Sequence, residues 1–163
     1  MTIDTREIVL WTYRAIGAGL AIGAMELLAG SIGEPITRVP FVTSIVLVMA
    51  LPTSEGAQPR AIIGGHMVSG LCGLLCSMLL GLGDLPPAIA VGLATLAMIG
   101  LRVVPPPAGV NAFLVPLYQL PAVWLLKPVL AGAILLAAYS AVWHRGEVWL
   151  MSSRLMRASG KDP

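Results

Sequence analysis

The chain has 163 residues, of which 57% are apolar and 11% are charged, and its mean hydropathy is +0.88. Soluble domains carry about 25% charged residues, so this composition is typical of a protein embedded in a bilayer, and we expect no separate soluble domain. Two cysteines, and a net charge of +2 without acidic or basic blocks, exclude a disulfide framework and indicate no nucleic-acid partner.

Four apolar segments approach the length of roughly 20 residues that crosses a bilayer as a helix. They run from Val9 to Ile32, Ala61 to Leu82, Leu85 to Leu101 and Gln119 to Trp143. Glycine and alanine recur in them at spacings of three and four residues, which lets helix backbones approach closely in lipid. The sequence predicts an all-α integral membrane protein with four full-length transmembrane helices.

Two further apolar segments, residues 40–52 and 105–116, are too short to cross a bilayer. Each begins at a proline, which favours a helix start. Short helices inside a membrane require that protein or a water-filled cavity satisfies their ends. We predict two proline-led half-helices, either re-entrant or crossing, and a kinked full span is the alternative for residues 40–52.

The order of long helix, half-helix and long helix occurs twice. A shift of about 67 residues brings the two half-helices and the cations that follow them into register: Pro40 with Pro107, Ser44 with Asn111, and Arg60 with Lys127. The sequence therefore predicts a two-fold pseudo-repeat, residues 9–82 and 85–143. Paired interrupted segments indicate a transporter's binding site. Four spans would make the repeats parallel and six would make them inverted, and both arrangements stay open.

The segments outside the transmembrane domain, residues 9–143, are short. Residues 1–8 form an N-terminal segment, and residues 144–163 form a basic tail that the positive-inside rule places in the cytoplasm. We expect a multi-pass protein of the cell membrane, the inner membrane in a bacterium. Because four to six spans leave little surface to enclose a pore, we also expect a homo-oligomer with one site in each protomer.

Small and polar residues occupy the predicted first turns of the half-helices. Helix N-termini bind anions through unpaired amide groups and a partial positive charge. Side-chain donors there add hydrogen bonds, and a glycine leaves the backbone approachable. The predicted site for a small inorganic anion therefore comprises Thr43, Ser44, Gly109, Val110 and Asn111. Ordinary capping of the helices' own amides is the alternative.

Charged and titratable residues extend this site. Arg60 would attract the anion, and His66 would relay a proton near neutral pH. The alternatives are a snorkelling Arg60 or one paired with Glu55, and a neutral His66 that only donates and accepts hydrogen bonds. Secondary candidates are Gln58, Lys127 and Glu26, the last of which shares a helix face with Arg14.

The sequence shows no set of residues that could carry out a chemical reaction. Cys72 and Cys76 lie four residues apart and form no credible metal-ligand set with His66. The sequence contains no phosphate loop, dinucleotide fingerprint or nucleophile elbow. We expect no metal, no cofactor and no catalytic residue, and therefore no enzyme.

Two stretches, AQPRAIIGGH at residues 57–66 and PPPAGVN at residues 105–111, resemble the HPP family of small integral membrane proteins. The family's hallmarks are a proline-led helix, an AQPR…IGGH segment and a His-Pro-Pro motif, and the resemblance covers about residues 10–143. Pro105 stands where the family's histidine would be. The positions that carry over are Gln58, Pro59, Arg60, Gly64, Gly65, His66, Pro106, Pro107, Ala108, Gly109 and Asn111.

The resemblance implies transport of a small anion, because plant members of the family are associated with nitrite transport across the chloroplast envelope. The leading hypothesis is a transporter or channel for a small monovalent, nitrite-like anion. The alternatives are a membrane scaffold or assembly protein that transports nothing, and a membrane enzyme that acts on a lipid or quinone through His66 and Glu26.

Overall fold

A computed structural model describes residues 4–32 and 39–158, and side chains over 4–27 and 39–153. These residues form six α-helices and no strand, which confirms the predicted all-α class. The helices are α1 (Thr5–Ile32), α2 (Val39–Ala50), α3 (Pro59–Leu80), α4 (Leu85–Leu101), α5 (Gly109–Tyr118) and α6 (Ala131–Ala158). The 3-10 turns Glu55–Ala57 and Pro106–Ala108 precede α3 and α5, and a π-helical turn, Leu125–Leu130, leads into α6.

Three helical segments are long and apolar enough to cross a membrane: Thr5–Leu27, Pro59–Leu80 and Leu125–Ser153. The fourth predicted span is α4, whose bounds match the prediction. Its 17 residues extend about 26 Å, which is less than the hydrocarbon thickness of about 30 Å. The count of four full spans therefore stays a prediction.

The two segments that predict half-helices form short helices. α2 has 12 residues and α5 has 10. Pro40 is the second residue of α2, where the absent N–H of proline costs no helical hydrogen bond. Pro116, the predicted end of the second half-helix, lies inside α5. That helix ends at Tyr118 because Gln119 adopts a left-handed backbone with φ 52°.

α3 is the central helix, and it contacts α4, α5 and α6. In an 18-residue stretch of its candidate span 39% of the residues are buried, against 11% in such a stretch of α1. Glycines allow these contacts: Gly73 lies against Ala112 and Val115 of α5, and Gly70 lies against Leu125. Close approach at small residues is what the glycine spacing predicts.

Each half of the chain covers a glycine of the other half. Gly65 in α3 lies against Pro105, and Gly132 in α6 lies against Phe41 of α2. The two glycines are about 67 residues apart, which is the offset of the predicted repeat. Such reciprocal packing fits a two-fold pseudo-repeat, but the repeat and its orientation stay predictions.

α1 joins α6 through a charged pair and aromatic rings. The guanidinium of Arg14 donates from Nη2 to Glu147 Oε1 at 2.7 Å and from Nε to Oε2 at 3.0 Å. The rings of Tyr13 and Trp143 contact each other, tilted by 30°, with centroids 4.6 Å apart. Because α6 runs on to Ala158, residue 144, where the sequence predicts the start of the tail, is not a boundary of secondary structure.

Candidate functional site

A buried polar cluster lies where α2, α3 and α5 meet. It consists of Ser44, His66 and Asn111, which we call the His66 cluster, and these side chains are 1%, 0% and 0% exposed. One residue comes from each helix, so the cluster joins the two short helices to the central one. Buried polar groups in such a position require hydrogen-bond partners.

The partners of the imidazole fix its tautomer. Asn111 Nδ2 lies 2.9 Å from His66 Nδ1 and 3.2 Å from the His66 carbonyl oxygen. A carbonyl only accepts, so the amide NH₂ faces it, and Nδ1 must then be the acceptor of the second N–H. The proton of the neutral ring therefore lies on Nε2, which donates to Ser44 Oγ at 2.9 Å.

Ser44 completes the chain of hydrogen bonds. Its hydroxyl donates to the Pro40 carbonyl one turn earlier at 3.0 Å, so its oxygen is free to accept from His66. The ring of Phe41 covers the imidazole, with centroids 5.0 Å apart. Ser44 and Asn111, which the offset of 67 residues equates, thus bind opposite nitrogens of one imidazole.

One polar atom of the cluster has no partner. Both N–H groups of Asn111 are used by His66, and Oδ1 of the same amide is buried without a hydrogen bond. Burying an acceptor without a donor costs about 1–3 kcal/mol. The neighbouring amide is satisfied, since the Ala112 N–H donates to Ser69 Oγ at 3.0 Å. Asn111 Oδ1 is therefore the one unsatisfied acceptor among the three side chains of the His66 cluster.

The predicted first-turn positions are observed in α5, which begins with Gly109, Val110 and Asn111, but not in α2. α2 begins at Val39, so Ser44 lies in its second turn. At the other short helix, residues 105–107 are prolines and have no N–H, while Ala108 N–H donates to the Pro105 carbonyl at 2.9 Å. The Gly109 N–H is also used within the turn. Residues 105–109 therefore offer no free amide, and the donors of the His66 cluster come from side chains.

Three of the predicted site residues line an open groove instead of the His66 cluster. The groove has a volume of about 590 Å³ and lies between α2, α4 and α5. A Cβ added at Gly109 would meet nothing within 4 Å, so the backbone there is approachable, as expected. The lining residues are Thr43, Val91, Pro106, Pro107, Gly109, Val110 and Phe113.

The predicted cations and secondary candidates lie on the surface. Arg60 donates from Nη2 to the Leu101 carbonyl at 3.0 Å, where a cation is favourable at the C-terminus of α4. Gln58 donates to the Pro52 carbonyl at 3.2 Å. Lys127 and Glu26 are exposed. The structure thus brings Ser44, His66 and Asn111 together and leaves these four residues outside their cluster.

Sequence reasoning missed a second polar cluster, in which His144 and Arg14 contact the C-terminal end of α2. His144 Nε2 donates to the Val48 carbonyl at 2.9 Å, and Arg14 Nη1 donates to the Ala50 carbonyl at 3.3 Å. Glu147 binds Arg14 and lies 3.4 Å from His144 Nδ1. The spacing of His144 and Glu147 on one helix face was the available signal.

Metal binding finds no support in the described part of the chain, where no three His, Cys, Asp or Glu side chains lie close enough to hold an ion. Cys72 and Cys76 are free thiols.

Pro105, which replaces the histidine expected from the family resemblance, is buried beside Gly65, the residue before His66.

Comparison with known proteins gives one finding. No curated protein and no solved structure shows significant similarity to the chain. The family model described as "HPP, transmembrane region" matches residues 3–150. That match covers both polar clusters, the groove and all six helices except the end of α6. Because the model of the family's transmembrane region matches most of the chain, the chain belongs to the HPP family of membrane proteins.

Proposed function

We propose that this protein carries a small monovalent, nitrite-like anion across the membrane, as a channel or a carrier. The observation that supports the proposal is the His66 cluster. Ser44 and Asn111, which come from two different short helices, meet at one buried imidazole. Buried polar groups in a membrane protein are costly and mark solute pathways.

The anion would be bound by side-chain donors. The Asn111 amide and the Ser44 hydroxyl each carry an N–H or O–H that now serves an internal acceptor. Exchanging these internal bonds for bonds to an anion conserves the number of hydrogen bonds that the two donors make. The groove beside Thr43 and Val110 would be the entry, because these residues immediately precede Ser44 and Asn111.

The remaining features of the proposal follow from charge and size. Arg60, which is exposed in the first turn of α3, would raise the local concentration of the anion. The C-terminal end would lie in the cytoplasm and the protein in the cell membrane, the inner membrane in a bacterium. It would act as a homo-oligomer without a cofactor, and not as an enzyme.

Uptake of nitrite into liposomes tests the proposal. The double variant Ser44→Ala/Asn111→Ala should lose at least nine-tenths of the protein-dependent flux, because both side-chain donors are removed. The double variant Thr95→Ala/Ser152→Ala is the matched control, since both of its hydroxyls are exposed and bond only within their own helix. Wild-type flux in the Ser44/Asn111 variant would overturn the site.

A membrane scaffold that transports nothing is the second candidate. The observation in its favour is that every donor of the His66 cluster already has an internal acceptor. A thermal-shift screen in detergent against nitrite, nitrate, formate, bicarbonate and chloride separates the two. A transporter should be stabilised by at least one of these anions, whereas a scaffold should respond to none.

A further inference from the structure

We propose that the anion enters the His66 cluster together with one proton, and that a rotation of the Asn111 amide couples the two. The inference deepens the transport proposal and rests on it. It assigns three roles: His66 takes the proton, Asn111 changes from acceptor to donor, and Ser44 holds the far side of the ring. The basis is the pairing of a fully used NH₂ with an unpartnered Oδ1 on the same amide.

In the structure the cluster fits a neutral imidazole. Nδ1 accepts from Asn111, and Nε2 donates to Ser44. A proton added to Nδ1 would face the amide NH₂ at 2.9 Å, and two donors would then oppose each other. The present orientation of Asn111 therefore excludes the imidazolium. It also leaves an unpartnered acceptor, Oδ1, on the side of Asn111 where we propose that the anion binds.

A half-turn of the Asn111 amide reverses both properties. Oδ1 would then accept from the new Nδ1–H of His66, and Nδ2 would donate toward the buried position that Oδ1 faces now. The His66 carbonyl loses the Asn111 bond and then faces Oδ1, a second acceptor, although it keeps the ordinary bond of helix α3. The new bond from Nδ1–H and the attraction between the imidazolium and the anion have to offset this repulsion. The Nε2–H bond to Ser44 is unchanged. One rotation thus converts a site that repels anions into a site that binds them.

Charge balance explains why the two events occur together. Moving a lone anion or a lone imidazolium into this buried place carries a large desolvation cost. An anion beside an imidazolium forms a neutral pair, whose attraction offsets much of that cost. The proton comes from water on the side where the anion enters, binds to the Nδ1 lone pair, and leaves with the anion on the other side. Each cycle therefore carries one anion and one proton.

The surroundings of His66 leave it the proton acceptor of this site. From α2 it faces Ser44 and Phe41, and from α5 it faces Asn111, and none of these side chains takes up a proton. Among the residues whose side chains the structure describes, no hydrogen bond or ion pair joins the ring to the other charged and titratable groups on α3 and on the elements packed against it: Glu55, Arg60, Cys72, Cys76, Arg102, Tyr118, Lys127, Tyr139, His144, Arg145 and Glu147.

Nitrogen-15 NMR of the histidine rings tests the coupling directly. The chain has two histidines, so the His144→Gln variant leaves His66 as the single source of signal. Without nitrite we expect one protonated ring nitrogen, Nε2, and with saturating sodium nitrite at the same pH we expect both to be protonated. A spectrum that stays neutral, while nitrite still raises the melting temperature, would overturn the coupling and leave anion binding intact.

Liposome flux gives an independent measurement on the wild-type protein. A pH dye inside the vesicles should report about one proton for each nitrite taken up, after subtraction of the rate in protein-free vesicles. An imposed membrane potential should leave the uptake rate unchanged. Uptake that follows the potential without proton entry contradicts the coupling alone, whereas absence of protein-dependent flux for every anion of the panel contradicts the transport proposal as well.

The His66→Gln variant separates titration from hydrogen bonding. Its amide can donate toward Ser44 and accept from Asn111, but it cannot take up a proton at neutral pH. We expect this variant to lose proton uptake and the dependence of flux on pH. Proton uptake at the wild-type ratio would overturn the role of His66. If the His66→Gln variant does not fold, the spectra of the His144→Gln variant and the wild-type flux still decide.

Discussion

Asn111 donates one amide group to two atoms of the same residue, His66: Nδ1 at 2.9 Å and the carbonyl oxygen at 3.2 Å. This relationship ties α5 to the central helix α3. It also sets the tautomer of the ring and leaves Oδ1 of Asn111 without a donor. The stability of the helix junction and the proposed chemistry of the site therefore depend on the same few hydrogen bonds.

The stability of this junction should respond to Ser44→Ala. The substitution removes the acceptor of His66 Nε2–H inside the protein, and a buried donor left without a partner costs about 1–3 kcal/mol. The melting temperature in detergent should fall. Thr43→Ala changes the adjacent, exposed hydroxyl and should leave it nearly unchanged. Equal melting temperatures of the two variants would contradict the assigned hydrogen bond.

Local patterns predicted the helices well, because prolines and apolar runs act over a few residues. The bounds of α4 match, and α2 begins at the residue before Pro40. The end of α5 was missed, since Pro116 is tolerated inside a helix whose end is set by the backbone of Gln119. The partner of Arg14 was missed because Glu147 is distant in sequence and only the packing of α6 on α1 brings them together.

The sequence pointed to residues that meet in the structure but not to their geometry, and their role as a binding site stays a prediction. Residue type and internal offset pointed to Ser44, His66 and Asn111, and these three do meet. Their positions in the helices and their bonds to one imidazole depend on how α2 and α5 cross α3, which periodicity does not specify. The prolines before Gly109 predict a helix start, and residues 105–107 have no N–H, so the turn that leads into α5 offers few amides to a ligand.

Packing at Gly65 should tolerate no side chain. A Cβ there would meet the ring of Pro105, and it would come within 2.9 Å of the Val103 carbonyl. Backbone on the opposite side cannot move aside easily, so Gly65→Ala should destabilise the protein by about 1–3 kcal/mol. In Gly92→Ala the Cβ meets nothing within 4 Å, and the melting temperature should stay or rise slightly. A Gly65→Ala protein as stable as the wild type would contradict the close approach.

The charged pair between α1 and α6 should show strong coupling. Arg14→Met leaves Glu147 without its bidentate partner, and we expect the free energy of unfolding to fall by about 3 kcal/mol. This is the low end for a buried pair, because the two side chains are 21% and 13% exposed. The double variant Arg14→Met/Glu147→Met removes both charges and should be more stable than the single variant. If the double variant lowers the melting temperature by the sum of what Arg14→Met and Glu147→Met lower it alone, the pairing would be contradicted.

The groove between α2, α4 and α5 offers the most direct test of the entry route. Thr43→Trp places a large ring among Val91, Pro107 and Val110, and it should lower nitrite flux at least tenfold if the anion enters there. Thr43 is exposed, so the melting temperature should change little. Val46→Trp is the matched control, because this residue lies on the same helix, is 51% exposed and does not line the groove. Equal flux in the two variants would place the entry elsewhere while leaving the role of the His66 cluster untouched, since neither substitution alters its hydrogen bonds.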